Sequence, residues 1–324
     1  MIVLDANQVL EHLPMREAID AMRDAFLSIS SGAANFPRRS HLDIPKHHGT
    51  TLIMPAHAEF ANEETLAVKV ATVYDENPAK GLPRVLASVL VFDPKTGAPT
   101  ALLDGTQLTA VRTAAASAAA TDELAREQSS TLGLIGSGVQ ARTHLKAISI
   151  VRSIEKCVVY SRKTRNVEQF IEEVAPDHSE IEFQVSKNVA SLLQMSDVVC
   201  TCTNASTPLF DAADVRPGTH FNVIGSHQPH AAEVPGELVA RSRVFVDHLD
   251  TAIHEAGDLI QPTEAGLMQT QDICGEVGQL IAGEIRGRQS DSDITLFKSV
   301  GNAVEDAVAA NLVIKNFRNS NPPG

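Results

Sequence analysis

LGLIGSGVQA, residues 132–141, starts as an apolar run and turns on two closely spaced glycines. An apolar strand followed by G-x-G-x-x-(G/A) and a helix is the pattern of a dinucleotide-binding turn. Gly136 permits the tight turn, and Gly138 lets the backbone approach a pyrophosphate. Ala141, in place of a third glycine, still allows close helix–strand packing. Ser137, Val139 and Gln140 complete the turn and open the helix, whose unpaired N–H groups and dipole suit phosphate oxygens. The stretch predicts a Rossmann domain that binds a nicotinamide dinucleotide; a glycine turn with no ligand is the bland alternative.

Downstream, the pattern from Thr131 to about Leu249 alternates short apolar strands (Leu132–Ile135, Lys156–Tyr160, Asp197–Thr203, FNVIG, RVFVDH) with helical segments starting at Val139, Val167 and Val189. That alternation predicts an α/β fold with a doubly wound parallel sheet. The second strand ends Tyr160-Ser161-Arg162-Lys163, without the acidic residue that would bind a ribose 2′-hydroxyl. Ser161 and Arg162 suit a 2′-phosphate instead, so NADP(H) is favoured, with NAD(H) as the alternative if Arg162 is only a solvated loop charge. Thr203 should lie beside the cofactor at the carboxyl edge of the sheet.

Upstream the texture differs. Asp5–Ser31 reads as helical, with Pro14 near a helix start. From Phe36 to about Leu103, short β-rich runs separated by Pro, Gly and Asn predict an antiparallel sheet, with Asp93-Pro-Lys-Thr-Gly97 as a hairpin turn. LTAVRTAAASAAATDELAR (108–126) is a helix by its alanine density, and residues 271–287 and 303–317 also read as helical. The expected arrangement is a smaller α+β domain, 1–112 plus 302–324, beside a Rossmann domain, 113–301.

The 324 residues carry a formal net charge of −13, which argues against a nucleic-acid partner. No apolar run is long enough to span a bilayer, and MIVLDANQVLEHLP lacks a signal-peptide pattern, so a cytoplasmic protein is expected. Cys157, Cys200, Cys202 and Cys274 read as reduced thiols; the C-x-C at Cys200 lies in an apolar strand run with no second cluster, so no metal is expected.

Two cations stand among apolar neighbours: Lys69 in LAVKVATVY and Arg112 in LTAVRTAAASAAA. Charges so placed need partners. A substrate carboxylate would serve, the planar guanidinium of Arg112 fitting it and Lys69 binding it or donating a proton. An internal salt bridge or a snorkelling side chain explains each equally well.

Taken whole, the chain resembles the ornithine cyclodeaminase/mu-crystallin family over nearly its full length. The resemblance is carried by PRRSHLDIPKHHGTTLIMPA (37–56), VKVATVYDENPAKGLP (68–83), LLDGTQLTAVRTAAASAAA (102–120), LGLIGSGVQA, NVIGSHQPHAAEV (222–234), EAGDL (255–259) and LFKSVGNAVEDAVAA (296–310). It implies a homodimer that pairs the sheets of its smaller domains, with a small amino- or imino-acid substrate held between the domains. It also implies that Arg39 (Arg38 being the other register), Lys69 and Arg112 bind substrate. Thr113 and the Ser299-Val300-Gly301 stretch would flank the nicotinamide. Glu305 and Asp306 lie in a matching segment but read better as helix surface or interdomain polar contacts.

Two positions depart from the family pattern. Arg84 follows GLP where threonine is common at the cofactor phosphate. In Gly225-Ser226-His227-Gln228-Pro229, His227 stands where cyclodeaminases carry an aspartate. His227 is a candidate acid/base, since its ordinary pKa lies near neutrality, or a hydrogen-bonding pocket residue. Either way the missing aspartate favours an NAD(P)H-dependent reductase of cyclic imino acids, giving L-proline or L-pipecolate. Ornithine cyclodeaminase, an open-chain amino-acid dehydrogenase and a small-ligand binder of mu-crystallin type are the alternatives.

Overall fold

The computed structural model describes residues 1–322. Pro323 and Gly324, the last two positions assigned above to the smaller domain, lie outside the described residues. The chain divides into two compact units: Met1–Arg112 with the segment from Gly301 onward, and Thr113–Val300.

In the first unit, β1 (Ile2–Leu4) leads into α1 (Ala6–His12) and α2 (Met15–Ser30). The stretch Asp5–Ser31, read as helical, is two helices that meet at Pro14, and β1 precedes it. Asp5 caps α1 in a capping box with Gln8, and Pro14 ends the connection and starts α2. Strands β2 (Ala34–Asn35), β3 (Ser40–Ile44), β4 (Gly49–Phe60), β5 (Glu63–Tyr74), β6 (Val85–Phe92) and β7 (Pro99–Asp104) form an otherwise antiparallel sheet, to which β1 adds in parallel beside β7. Alternation turns Leu52, Met54, Ala56, Ala67, Ala71, Val89 and Val91 inward, against α2 and the closing helix α11 (Ala303–Ser320). The opposite face leaves Ile53, Val70 and Leu86 exposed.

Helix α3 (Gly105–Leu124) leaves β7 with Asp104 capping its first turn, and the boundary between the units falls inside it, after Arg112. Ala114–Ala116 and Ala118–Ala120 are all fully buried. A helix buried all round needs small side chains rather than an amphipathic stripe.

The second unit is built on β8 (Thr131–Ile135), β9 (Lys156–Tyr160), β10 (Glu182–Val185), β11 (Val198–Thr201), β12 (His220–Val223), β13 (Arg243–Val246), β14 (Ile273–Glu276) and β15 (Thr295–Lys298). They pair in parallel in the order β10-β9-β8-β11-β12-β15-β13-β14, the doubly wound arrangement with its switch point between β8 and β11. Helices α4 (Val139–Val151), α5 (Thr164–Val174), α6 (Val189–Met195), α7 (Gly236–Ala240), α8 (Leu249–Glu255), α9 (Gly257–Glu264) and α10 (Val277–Ile281) make or follow the crossovers. The expected helix over 271–287 is corrected: only Val277–Ile281 is α-helical, and β14 precedes it as the sheet's edge strand, with Gly275 at φ 142°. Ile273, Val277 and Leu280 imitate helical spacing, but pairing with β13 decides the backbone of the first of them. Among the described residues, no helix is long and apolar enough to cross a membrane.

Candidate active site

In the first unit, Lys69 lies on the inward side of β5 between two alanines, Ala67 and Ala71, whose small side chains leave room for its stem. Its ammonium meets Asp306 Oδ2 at 2.5 Å. Arg112 Nε donates to Asp306 Oδ1 at 2.9 Å and its Nη1 to Glu305 Oε2 at 3.0 Å. All four side chains are buried, at 5% exposure or less. The reading of Glu305 and Asp306 as helix surface or interdomain contacts is thus corrected: they are buried within the first unit, in the first turn of α11. Their charge complements the helix N-terminus, and Glu305 also closes the capping box with Asn302. Arg39, half-buried, donates through Nη2 to Gly301 O. Gly301 sits at φ 72°, and a Cβ there would lie 2.7 Å from Arg112 Nη1. The position therefore demands glycine twice over, by backbone and by space.

Lys69 and Arg112 thus share the two carboxylates of Asp306 and Glu305, with the half-buried Arg39 close enough to bear on Lys69. Burial pushes Lys69 down to about 8, with Arg112 and Arg39 adding to the fall and Asp306 opposing it. Burial alone would raise Asp306, yet Arg112 and Lys69 hold its carboxyl below the usual range. Burial likewise works against the Arg112 charge, and Asp306 and Glu305 overcome it.

In the second unit, Gly136 has φ 118°, and a Cβ there would lie 2.4 Å from Cys202 O. Gly138 caps α4, and a Cβ on it would meet nothing within 4 Å: the helix N-terminus faces open space. That space is a cleft of about 530 Å³ lined by the glycine turn, Tyr160, Ser161, Arg162, Cys202, Thr203 and Asn204. A free helix N-terminus above a wall-less glycine, with a cationic and hydroxylic far end, fits a dinucleotide. Val139 and Arg162 are exposed, and Gln140 and Ser161 half-buried.

Several of the sequence-predicted residues thus share one cleft: Gly136, Ser137, Gly138, Ser161, Arg162 and Thr203. Gly225, Ser226 and His227 lie on the loop after β12, with Ser226 buried and His227 half-buried. Ser299, after β15, donates to Asp247 Oδ2 at 3.0 Å. Thr113 follows Arg112 on α3. Arg84 pairs with Asp75 at 2.7 Å in the first unit. Cys157 and Cys200 are buried free thiols, Cys200 pushed up to about 12 by burial.

The acids that organise this unit went unassigned from sequence. Asp247 fixes Ser299 and Val300 N. Asp258, in the quoted EAGDL, pairs with Lys298 at 2.7 Å, both fully buried. Glu233, in NVIGSHQPHAAEV, accepts from Thr201, Thr203 and Gly225 N. Burial raises its carboxyl, and the Thr203 and Thr201 hydrogen bonds pull it back.

The chain is similar to known proteins along its length. The family model of the ornithine cyclodeaminase/mu-crystallin family matches residues 1–321. A Delta(1)-pyrroline-2-carboxylate reductase of Bacillus cereus is 38% identical over 311 residues, 96% of this chain and 94% of that protein. The solved structure of Thermococcus litoralis Delta(1)-pyrroline-2-carboxylate reductase, in complex with NADH and L-proline, superposes with a TM-score of 0.95 at 40% identity, covering 99% of this chain and 98% of that one. An archaeal alanine dehydrogenase dimer with bound NAD gives a TM-score of 0.92 at 30% identity over 100% and 98%. On the strength of a match along nearly its whole length, the chain belongs to the ornithine cyclodeaminase/mu-crystallin family.

Proposed function

We propose that this chain reduces the C=N bond of a cyclic imino acid, Δ1-pyrroline-2-carboxylate or Δ1-piperideine-2-carboxylate, to L-proline or L-pipecolate. The carrying observation is the buried Lys69–Arg112–Asp306–Glu305 cluster with Arg39 beside it, which gathers three cations at one place and lowers its lysine to about 8. The chain's likeness to the pyrroline-2-carboxylate reductase that was solved with L-proline supports the same substrate class.

Arg112 and Arg39 bind the substrate carboxylate, Arg112 already oriented by two carboxylates so that little is lost in ordering it. Lys69 keeps a proton on the imine nitrogen, which makes the adjacent carbon electrophilic. A reduced nicotinamide, when bound, supplies the hydride to that carbon. One hydride on carbon and one proton on nitrogen convert C=N to CH–NH. His227 lines the pocket or exchanges protons there. Thr113, Gly225, Ser226 and Ser299 border the nicotinamide half; Gly136, Ser137, Gly138, Val139 and Gln140 hold the pyrophosphate. With no acid after β9 and Ser161-Arg162 in the cleft, NADPH is the preferred donor.

A homodimer is proposed from the apolar outward face of the first unit's sheet, where Ile53, Val70 and Leu86 are exposed, and from the dimeric alanine dehydrogenase. The test of function is oxidation of NADPH and NADH with a panel of cyclic imino acids, with ammonia release from ornithine followed in parallel. Turnover with pyrroline-2-carboxylate and no ammonia is expected. No turnover with any cyclic imino acid would sink the proposal.

A further inference from the structure

Beyond the glycine turn, the nucleotide unit holds a second buried device at the carboxyl edge of its sheet. Glu233 is fully buried. Its Oε1 accepts from Thr203 N at 2.9 Å and Thr203 Oγ1 at 2.6 Å, and its Oε2 from Gly225 N at 2.7 Å and Thr201 Oγ1 at 2.7 Å. Each oxygen thus takes one backbone N–H, a donor that cannot reverse its role, so these partners satisfy the ionised form. Thr203 follows β11 and Gly225 follows β12, so one side chain ties the ends of two adjacent strands. The fit is tight: a Cβ on Gly225 would lie 2.2 Å from Thr203 O and 2.5 Å from Glu233 Cδ.

Behind it, Asp258 accepts from Glu233 N at 2.6 Å and Val234 N at 3.1 Å. The Lys298 ammonium meets Asp258 Oδ2 at 2.7 Å and Ser226 O at 2.6 Å. Asp258 and Lys298 offset each other, and while burial raises the Glu233 carboxyl, its four donors stabilise the carboxylate.

In a doubly wound sheet the pyrophosphate lies at the first strand, here β8, and the second mononucleotide half reaches over the strands beyond the switch point, here β11 and β12. An oxidised nicotinamide ring is cationic and a reduced one neutral, so a fixed carboxylate below that half distinguishes them. We propose that Glu233 is a positioning residue for the nicotinamide half: it fixes the Thr203–Gly225 floor and, by its charge, makes the oxidised nucleotide bind more tightly relative to the reduced one, which favours hydride donation. This rests on the nicotinamide reading given above.

The experiment is a binding titration of wild type, Glu233→Gln and Thr201→Val with oxidised nucleotide, reduced nucleotide and ADP-ribose (2′-phosphorylated if NADP(H) is preferred), with melting curves to establish folding. ADP-ribose lacks the ring and reports the rest of the site. In Glu233→Gln the ratio of oxidised to reduced Kd should rise about tenfold, with ADP-ribose binding unchanged. Thr201→Val is isosteric and removes one donor, and it should move the ratio the same way by about twofold. An unchanged ratio in folded Glu233→Gln overturns the proposal, and so does parallel weakening of all three ligands. Should Glu233→Gln not fold, an unchanged ratio in Thr201→Val overturns it. Wild type that binds ADP-ribose but neither full nucleotide sinks the nicotinamide reading, and this inference with it.

Discussion

Each unit of the chain buries a charged network, and the two are built around opposite charges. In the first, Lys69 and Arg112 share Asp306 and Glu305, with the half-buried Arg39 at the edge of the cluster. In the second, Glu233 collects four donors, and Asp258 pairs with Lys298 behind it. Burying ions is costly unless they are paired, and here fixed partners hold each charge. Under the proposed function a carboxylate substrate answers the cations of the first and a cationic nicotinamide the carboxylate of the second. The difference teaches that internal salt bridges and substrate binding need not be rival explanations for Lys69 and Arg112: the carboxylates hold the cations in place and lower the cost of burying them, and the proposed substrate binds to cations so held.

The strongest way to break this comparison is to remove a cation from the first network. Lys69→Met leaves Asp306 still paired with Arg112, so the unit should fold. We expect kcat/KM for the imino acid to fall about a thousandfold with nucleotide Kd unchanged, because loss of a proton donor and of a buried carboxylate contact add. Retained turnover would show that Lys69 is only structural. Arg112→Lys keeps the charge and loses the fork, so Glu305 or Asp306 loses its hydrogen bond from the guanidinium. A fall of about a hundredfold in kcat/KM is expected, carried largely by KM. An unchanged KM would remove Arg112 from carboxylate binding.

The comparison sharpens with pH. Burial lowers Lys69 to about 8, and a lysine must be protonated to donate. Its protonated fraction falls about tenfold per pH unit above that value, so kcat/KM should decline on the alkaline side of about pH 8. Asp306 favours the ammonium, hence Asp306→Asn lowers Lys69 further and moves the alkaline limb to lower pH. A limb that moves up, or stays in place, would assign the titration to another group.

What was legible in the sequence was local. The strand, glycine turn and helix of residues 132–141 lie within one short run, and the alternation around it pointed to the parallel sheet. Lys69 and Arg112 showed as interruptions of apolar runs. Their partners did not, because Asp306 lies 194 residues from Arg112 and nothing in its neighbourhood marks it as buried. An acid in the first turn of a helix looks like ordinary surface. Glu233 escaped for a related reason: its hydrogen bonds reach 30 and 32 residues back to Thr203 and Thr201, along contacts that exist only once β11 and β12 pair. The corrected stretch 271–287 shares that cause: β14 exists by pairing with β13, which no residue pattern records.

The finest test concerns which nucleotide the second network serves. Arg162 is exposed, so whatever it gives a 2′-phosphate is screened by water and salt. Ser161, half-buried in the same cleft, keeps its hydroxyl whatever stands at 162. Arg162→Gln should therefore reduce the preference for NADPH over NADH by about fivefold, not abolish it, and the reduction should shrink as salt is raised. Since the residue follows β9, away from the ends of β11 and β12 proposed to carry the nicotinamide half, kcat with saturating cofactor should not change. A preference for NADH in wild type would make Arg162 a solvated loop charge, and the substitution would then leave both Kd values where they were.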